Sequence, residues 1–279
     1  MKILVAGAYG QLGTSIVRRI SSQHQVFAYS SQQLDIRSEE QVLQIVREIK
    51  PTIIINCAAY NNVNQAELYT NEAKLVNEVG VYNLAKAAEF IQATLIHIST
   101  DYVFDGNKKS PYVEEDIPNP LNIYGMTKYR GEQLIQDICS RYIIIRTSWL
   151  YSEKNNNFVH TILRLVKEKE RLDIISDHLG TPTYTEELAE AIERLIDKGA
   201  NGLYHCSGNG FCSWYDFARE IVRLAKIECD IQPISALDYQ ELAKKPSYSV
   251  LDKSKFEKTT GYQMKEWQET LKLYFRKNN

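Results

Sequence analysis

Short apolar runs rich in β-branched residues alternate with helix-like stretches through the first half of the chain. Five runs are typical of strands: Ile3–Ala6, Val26–Tyr29, Thr52–Asn56, Leu95–Ser99 and Tyr142–Arg146. Each run is apolar nearly throughout, as expected of strands that are covered on both faces. Before Pro51, four residues follow the i, i+3, i+4, i+7 spacing of a helix: Val42, Ile45, Val46 and Ile49. Because parallel strands need crossover helices, the pattern predicts an α/β fold with a doubly wound parallel sheet.

Three glycines follow the first predicted strand at the spacing G-x-x-G-x-x-G. Gly7, Gly10 and Gly13 lie between Ala6 and a helix expected to start near Thr14. Glycine lets the backbone approach a pyrophosphate closely, and a helix N-terminus offers unpaired N–H groups and a partial positive charge. A plain tight turn is the alternative, but the position between a strand and a helix favours a dinucleotide site of the Rossmann type.

The regular alternation of predicted strands and helices ends after about Trp149. Shorter elements are separated there by turn-forming segments: Asn155–Asn157, Gly180–Thr183, Gly208–Gly210 and Lys244–Pro246. We therefore expect a dinucleotide-binding domain of the Rossmann type over residues 1–150. Residues 151–279 are expected to form mainly a smaller substrate-binding lobe, which can contribute late elements to the sheet.

The charge balance and the apolar runs argue against several classes of partner. A formal net charge of −2 and an isoelectric point near 6.3 leave no basic surplus for a nucleic-acid backbone. No apolar run approaches the roughly 20 residues that span a bilayer. The N-terminal residues read as a strand and not as a secretion signal. We therefore expect neither a nucleic-acid nor a membrane partner.

The cysteines and histidines are scattered along the chain. The five cysteines form no Cys-x-x-Cys pair, and the five histidines have no metal-ligand spacing. We therefore expect no disulfide framework and no metal site. The cysteines read as small buried residues of a protein in the reducing cytoplasm.

The end of the second predicted strand bears on the choice of cofactor. In a Rossmann site, an acid there binds the ribose 2′-hydroxyl of NAD, whereas a 2′-phosphate needs that acid to be absent. The strand ends here at Ala28–Ser31, which contains no acid, and no arginine stands beside Ser30. Asp35 comes later and either borders the adenine or is an exposed loop or helix-capping acid. We expect the protein to accept NADPH or NADH.

A tyrosine and a lysine four positions apart are the main candidates for catalytic residues. Tyr124 and Lys128 share one face if a helix runs through both. A neighbouring cation favours the phenolate, and lowering the pKa of a tyrosine by ~2 to 3 units takes ~3 to 4 kcal/mol. The ammonium, a nicotinamide cation and a hydroxyl partner together supply such stabilisation. An exposed helix face is the alternative, because a chain with 18 tyrosines contains this spacing easily by chance.

Hydroxyl-bearing residues end the fourth predicted strand, at the edge where open α/β sheets bind their ligands. Ser99, Thr100 and Asp101 stand at this edge. A hydroxyl there can hydrogen-bond both the phenol and a substrate oxygen, whereas local turn formation is the alternative role. The combination with Tyr124 and Lys128 favours an oxidoreductase.

The order and separation of these three features resemble the extended short-chain dehydrogenase/reductase family. Five longer motifs, spread over nearly the whole chain, are similar to those of its dTDP-4-dehydrorhamnose reductase branch: Ser99–Gly106, Tyr124–Glu132, Arg146–Trp149, Gly180–Thr183 and Ser213–Ala218. These motifs are far more specific than the glycine loop. The resemblance implies reduction of the C4 ketone of dTDP-6-deoxy-L-lyxo-4-hexulose to dTDP-L-rhamnose, a precursor of bacterial surface polysaccharide.

The resemblance also implies roles for individual residues. Tyr124 would be the proton donor, Lys128 would hold the nicotinamide ribose and depress the tyrosine pKa, and Thr100 would bind the ketone oxygen. Asp101 and Trp149 would border the sugar of a dTDP-sugar substrate. The cofactor-binding site would be lined by the glycine loop and by further residues: Gln11, Leu12, Asp35, Ile36, Ala58, Ala59 and Tyr60. A homodimer is compatible with the resemblance.

Two segments depart from the pattern of that branch. After the third strand it usually reads Ala-x-Thr-x-Val-Asp, whereas this chain has Tyr60–Asn64, with Asn61 and Asn64 at the differing positions. Near the end it favours Arg-Arg-Pro, whereas Lys244 and Lys245 precede the proline here. Lysine lacks the bidentate fork of arginine, so a diphosphate would be held with altered geometry. The departures bear on the sugar and the nucleotide and leave the proton-transfer residues untouched.

Three other functions fit the same fold. A sugar-nucleotide 4,6-dehydratase has Thr-Asp-Glu at the strand end, and this chain has Tyr102 in place of the glutamate. A C4 epimerase retains Thr, Tyr and Lys but lacks motifs such as Arg146–Trp149. The regulatory subunit of methionine adenosyltransferase, a non-catalytic binding protein, also resembles the family. Intact Thr100, Tyr124 and Lys128 favour an enzyme over a binding protein.

Overall fold

A computed structural model describes residues 1–278 of the chain. The α-helices are α1 Gln11–Ile20, α2 Glu39–Ile49, α3 Val63–Leu68, α4 Thr70–Lys74, α5 Gly80–Phe90, α6 Ile123–Ile138, α7 Phe158–Glu168, α8 Thr185–Asp197, α9 Trp214–Ala225, α10 Ser254–Thr260 and α11 Trp267–Asn278. A π-helical turn, Leu75–Val79, joins α4 to α5, and two 3₁₀ turns span Asp101–Val103 and Ala236–Asp238.

The strands alternate with these helices along the first half of the chain. Their bounds are β1 Lys2–Ala6, β2 Gln25–Tyr29, β3 Ile53–Asn56, β4 Thr94–Thr100, β5 Tyr142–Thr147, β6 Leu150–Tyr151, β7 Arg171–Ile175, β8 Leu179–Gly180, β9 Thr183–Tyr184, β10 Gly202–His205, β11 Cys212–Ser213 and β12 Asp230–Ile234. The five predicted strands correspond to β1–β5, with end points that differ by one residue at most. The helix predicted from the spacing of Val42 and Ile49 is α2.

Six strands form the central sheet in the order β10-β5-β4-β3-β1-β2. All five neighbouring pairs are parallel, so the predicted α/β fold with a doubly wound parallel sheet is confirmed. One face of the sheet packs against α1, α8 and α10, and the other against α2, α5 and α6. The edge strand β10 is formed by residues 202–205, so the second half of the chain contributes one strand to the sheet.

A third apolar core lies outside the sheet. It joins α7, α9 and α11 to short strands and is centred on buried aromatic rings such as Tyr151, Phe217 and Trp267. The parallel pair β7 and β12 and the antiparallel pair β8 and β11 belong to this region. In residues 1–278, no helix is long and apolar enough to cross a membrane.

The helix after the glycine loop begins earlier than predicted. We expected a start near Thr14, but α1 begins at Gln11, directly after its N-cap residue Gly10. The sequence contains no Ser, Thr, Asp or Asn at the N-cap position that would mark the true start. No side chain caps this end of the helix, so its first backbone N–H groups remain available to another partner.

Candidate active site

The candidate site is a cleft of about 380 Å³ at the edge of the sheet where β4 and β5 end. It lies between the N-terminus of α1, helix α6 and the start of α9. The cleft brings together most of the predicted site residues: Gly10, Gln11, Leu12, Gly13, Ala59, Thr100, Asp101, Tyr124, Lys128 and Trp149. Open α/β sheets bind their ligands at this edge.

The glycines of the first loop are required by close packing. Gly7 has a φ of +72°, and a Cβ atom there would lie 2.6 Å from the backbone nitrogen of Ala58. A Cβ atom on Gly13 would collide with the carbonyl oxygen of Gly7 and with Ala8. The loop therefore presses against both the segment after β3 and the first turn of α1. Its uncapped helix end points into the cleft and fits the pyrophosphate of a dinucleotide.

Tyr124 and Lys128 both lie on α6, as their spacing predicted. The side chain of Asn122 caps this helix by accepting a hydrogen bond from the Gly125 N–H at 2.8 Å. Gly125 is packed so closely on the carbonyl oxygen of Tyr102 that a Cβ atom would collide with it. These contacts fix the first turn of α6 against the end of β4, and with it the position of Tyr124.

The pKa of Tyr124 moves in the opposite direction from our expectation. Burial raises it to about 12, the Asp101 charge adds to the rise, and a hydrogen bond with Thr100 opposes it. The sequence predicted a lowered value through Lys128. In the structure, the Lys128 ammonium is bonded to the Ile98 carbonyl oxygen and lies 3.3 Å from Nε2 of His97. Tyr124 is therefore fully protonated at neutral pH, which suits a proton donor.

Lys128 is one of the most deeply buried charged groups of the chain, with 2% of its surface exposed. Burial lowers its pKa to about 8, while the neighbouring Glu132 and Cys57 favour its charged form. A buried ammonium is costly unless it is paired. This lysine therefore exchanges its proton within the range of physiological pH.

Thr100 and Asp101 occupy the end of β4. Thr100 Oγ1 lies 3.1 Å from Asp101 Oδ1 and accepts a hydrogen bond from the Tyr102 N–H at 3.2 Å. Asp101 is 2% exposed, and hydrogen bonds with Ser249 and Thr100 favour its charged form. Burial raises the pKa of Asp101 to about 7. Asp101 also lines the cleft, and its carboxyl group is suited to the hydroxyl groups of a sugar.

Ser99 lines the cleft beside Thr100, but its hydroxyl is bonded to α6. Its hydroxyl donates to Glu132, which also accepts from Arg146 at 2.9 Å (Nε) and 2.6 Å (Nη2). Both members of this ion pair are at most 3% exposed. The motif residues Arg146 and Glu132 thus tie β5 and β4 to the helix that carries Tyr124.

Trp149 lies on the wall of the cleft, as predicted, together with a tryptophan that the sequence analysis did not assign to the site. Trp149 packs against Gly180, where a Cβ atom would lie 2.5 Å from the indole. Its other neighbour is Trp214, the first residue of α9, which also lines the cleft. Only the Ser213–Ala218 motif could have pointed to Trp214 from sequence.

Five of the residues expected to hold the cofactor are not part of the cleft wall: Gly7, Asp35, Ile36, Ala58 and Tyr60. Asp35 pairs with Arg37, whose Nη2 lies 2.8 Å away, and this bond lowers the pKa of Asp35. Ile36 is 4% exposed and packs in the core beneath Gly80. Arg37 places a guanidinium in the loop after β2, seven residues after Ser30.

A strap formed by residues 152–157 lies over the glycine loop. Gln11 joins the two parts: its Nε2 donates to the carbonyl oxygen of Asn156 at 3.2 Å, and its Oε1 accepts from Ser152 at 3.1 Å. Asn155 Nδ2 lies 3.3 Å from the carbonyl oxygen of Tyr9. Asn156 also lines the cleft. Sequence reasoning missed this contact because it joins distant segments.

The two segments that depart from the family pattern, Tyr60–Asn64 and Lys244–Lys245, lie near the edge of the sheet where β4 and β5 end. Asn61 lines the cleft, and Asn64 accepts a hydrogen bond from the Ala243 N–H at 3.2 Å. The Lys244 carbonyl oxygen accepts from Asn122, the N-cap residue of α6, at 2.9 Å. Lys245 pairs with Glu241 and lines a groove on the far side of Trp214.

Residues 1–278 contain no group of three or more His, Cys, Asp or Glu side chains that could hold a metal ion. All five cysteines are free.

Comparison with known proteins identifies the family. The whole chain, residues 1–279, matches the family model described as RmlD substrate binding domain. A dTDP-4-dehydrorhamnose reductase of Aggregatibacter actinomycetemcomitans is 40% identical, over 97% of this chain and 97% of that protein.

Two solved structures are also similar over nearly their full length. A dTDP-4-dehydrorhamnose reductase from Clostridium acetobutylicum is 42% identical, with a TM-score of 0.98, and covers 100% of this chain and 99% of its own. The enzyme from Bacillus anthracis, in complex with NADP, is 39% identical, with a TM-score of 0.97 and 99% coverage of both chains. The chain therefore belongs to the dTDP-4-dehydrorhamnose reductase family.

Proposed function

We propose that this protein reduces the C4 ketone of dTDP-6-deoxy-L-lyxo-4-hexulose to dTDP-L-rhamnose with NADPH or NADH. One observation carries the proposal: Thr100, Tyr124 and Lys128 line the same cleft as the uncapped N-terminus of α1. A proton donor and a dinucleotide site thus share one cavity. The reductase names of the relatives and the NADP in the Bacillus anthracis structure support the same reaction.

The cofactor would be held along the glycine loop and the strand ends beside it. The tight packing of Gly7 and Gly13 leaves the backbone of this loop exposed to a pyrophosphate. Gln11 and Leu12 lie at the first turn of α1. Asp35 and Ile36 after β2, and Ala58–Tyr60 after β3, would border the part of the cofactor that extends beyond the cleft, because of these residues only Ala59 lines the cleft. When bound, the reduced nicotinamide supplies a hydride to C4.

The proton would come from Tyr124. Its raised pKa keeps the phenol protonated, so it can deliver a proton to the C4 oxygen as negative charge develops there. Thr100, which hydrogen-bonds Tyr124, would hold the ketone oxygen. Lys128 would bind the nicotinamide ribose and favour the phenolate that remains after the transfer. Asp101 and Trp149 would border the sugar.

We also propose the organisation of the whole molecule. Residues 1–150 form a dinucleotide-binding domain, and residues 151–279 form mainly the substrate lobe, whose separate aromatic core supports this division. A homodimer is supported by neighbouring exposed apolar residues, Leu75 at 42% and Val79 at 40%. Free cysteines support a cytoplasmic location. The net charge of −2 supports function without nucleic acid.

An assay of NADPH oxidation with the keto sugar nucleotide tests the reaction. We expect turnover that depends on the sugar and formation of dTDP-L-rhamnose in equal amounts. Tyr129→Phe is a matched control, because this residue lies on α6 and packs in a separate small core. Cofactor binding without any turnover would contradict the proposal and favour the non-catalytic binding protein.

A further inference from the structure

A chain of buried hydrogen bonds leads from the end of β3 to Lys128. Asn56 on β3 lies directly opposite His97 on β4 in the register of the sheet. Asn56 Nδ2 is 3.1 Å from His97 Nδ1, and His97 Nε2 is 3.3 Å from Lys128 Nζ. All three residues are at most 2% exposed. The chain is therefore shielded from bulk solvent.

The orientation of the Asn56 amide is fixed by the backbone. Its Oδ1 accepts a hydrogen bond from the Ala58 N–H at 3.0 Å. The NH₂ group must therefore face the His97 ring and donate to Nδ1. Nδ1 acts as an acceptor and carries no proton. A reversed amide would place two donors against each other at Ala58, so this orientation is the only one that satisfies both contacts.

The protonation of His97 follows from this arrangement. Burial, and then the Lys128 charge, hold the pKa of His97 well below its usual value, so the ring is neutral. A neutral imidazole carries one proton. Because Nδ1 accepts from Asn56, that proton is on Nε2, and it points at Lys128 Nζ.

An N–H that points at Nζ discriminates between the two states of the lysine. A neutral amine has a lone pair that accepts from His97 while one of its own N–H groups donates to the Ile98 carbonyl oxygen. An ammonium has no lone pair, so its proton would face the proton of His97. A hydrogen bond to the neutral form disfavours the charged form.

We propose that His97 is a positioning residue for the reduction: oriented by Asn56, it donates its Nε2–H to Lys128 and stabilises the neutral amine at the centre of the cleft. The other groups that face Lys128 act in the opposite sense. Glu132, one turn along α6, and Cys57, after β3, both favour the ammonium. Tyr124 shares its helix face. Burial already lowers the pKa of Lys128 to about 8, and the hydrogen bond from His97 would act in the same direction as burial and against Glu132 and Cys57.

Nuclear magnetic resonance on the full-length protein tests this without any turnover. In ¹⁵N-histidine spectra, assigned with His97→Leu, we expect a protonated Nε2 and an unprotonated Nδ1. The ¹³Cε signal of Lys128, assigned with Lys128→Met, should titrate near pH 8. A proton on Nδ1 of His97 would overturn the proposal.

Two variants and a control measure the effect on Lys128. His97→Leu keeps the site dry but removes the N–H, so the Lys128 midpoint should rise by at least about half a unit. The Asn56→Asp carboxylate would accept a hydrogen bond from a protonated Nδ1, which reverses the tautomer, and should also raise the Lys128 midpoint. His205→Leu is the control: His205 is equally buried but contacts the Tyr112 carbonyl oxygen, and the Lys128 midpoint should not move. An unmoved midpoint in both test variants would refute the role of His97.

The pH dependence of kcat, which rests on the proposed function, separates the role of His97 from the proposed reduction. In His97→Leu, the alkaline limb of the kcat profile should shift upward by the same amount as the Lys128 midpoint. A purely structural defect would lower kcat equally at every pH and would refute the positioning role. If the midpoint shifts in an enzyme that does not reduce the keto sugar, the inference about His97 stands and the proposed function fails.

Discussion

The indole rings of Trp149 and Trp214 stack face to face, with centroids 3.4 Å apart and planes 10° from parallel. Trp149 adopts a left-handed backbone conformation, with a φ of +47°. This conformation is strained for a large side chain and persists only where its surroundings enforce it. Trp214 and Gly180 both pack against the Trp149 indole and supply that enforcement.

Loss of the stack should weaken substrate binding more than chemistry. Trp214→Ala removes the partner that holds Trp149, and an aromatic pair contributes about 0.5–1.5 kcal/mol beyond its buried area. We expect KM for the sugar nucleotide to rise roughly 3- to 10-fold, with kcat changed less. Steady-state kinetics measure this, and Trp214→Phe, which retains a stacking ring, should recover most of the affinity. A fall in kcat at constant KM would contradict this role.

Replacement of the proton donor should have a much larger effect on rate. Tyr124→Phe removes the phenolic proton and leaves the shape of the cleft nearly unchanged. We expect turnover to fall by ~10² to 10⁴ while the dissociation constant of the cofactor stays within a few-fold. Single-turnover kinetics and cofactor titration measure the two quantities separately. Near wild-type turnover would show that another group protonates the product.

The sheet and the helix after it were predictable because their signals are local. Apolar runs and the spacing of Val42 and Ile49 reflect periodicities that a strand or helix imposes on its own residues. The start of α1 was predicted wrongly because Gly10 is an N-cap without a side chain. The Trp149–Trp214 stack and the Asn56–His97–Lys128 chain join distant segments, so only the fold reveals them. The pKa of Tyr124 depends on burial, which the Tyr-x-x-x-Lys spacing does not report.

The ion pair beneath Tyr124 should dominate the stability of the site. Glu132→Gln leaves Arg146 charged and buried without its anionic partner, and breaking a buried pair in this way costs about 3–5 kcal/mol. We expect a corresponding fall in the free energy of unfolding, measured by urea denaturation. Glu168→Gln, which breaks the exposed pair with Arg164, is the control and should cost at most about 1 kcal/mol. Equal losses in the two variants would contradict the structural role of Glu132.

Asp101 should lower the stability of the protein while it contributes to substrate binding. Its folded pKa of about 7 lies above the unfolded value, because burial disfavours the charge. The folded state therefore binds this proton more tightly, and Asp101 destabilises the protein progressively as pH rises from about 4 to about 7. Asp101→Asn should be more stable than wild type above pH 7 and lose that advantage near pH 4, as thermal unfolding would reveal. KM for the sugar should rise. A stability difference that does not change with pH would refute the assigned pKa.

Cofactor choice depends on the end of β2, where Ser30 stands in place of an acid. Because Ser30 carries no charge, the strand end itself does not repel a 2′-phosphate. Arg37, the nearby cation in the following loop, is already paired with Asp35. We expect kcat/KM for NADPH and NADH to differ by less than ~100-fold, which corresponds to under ~3 kcal/mol, with NADPH equal or better.

Ser30→Asp tests this reading of the strand end. The new carboxylate can accept hydrogen bonds from the ribose hydroxyls and repel the phosphate, so preference should swing toward NADH. Ser31→Asp adds the same charge one residue later, on an exposed side chain, and should change the ratio of the two kcat/KM values much less. Both cofactors must be measured on all three proteins at matched salt, because screening weakens charge repulsion. A wild-type enzyme that strongly prefers NADH would show that groups other than Ser30 select the cofactor.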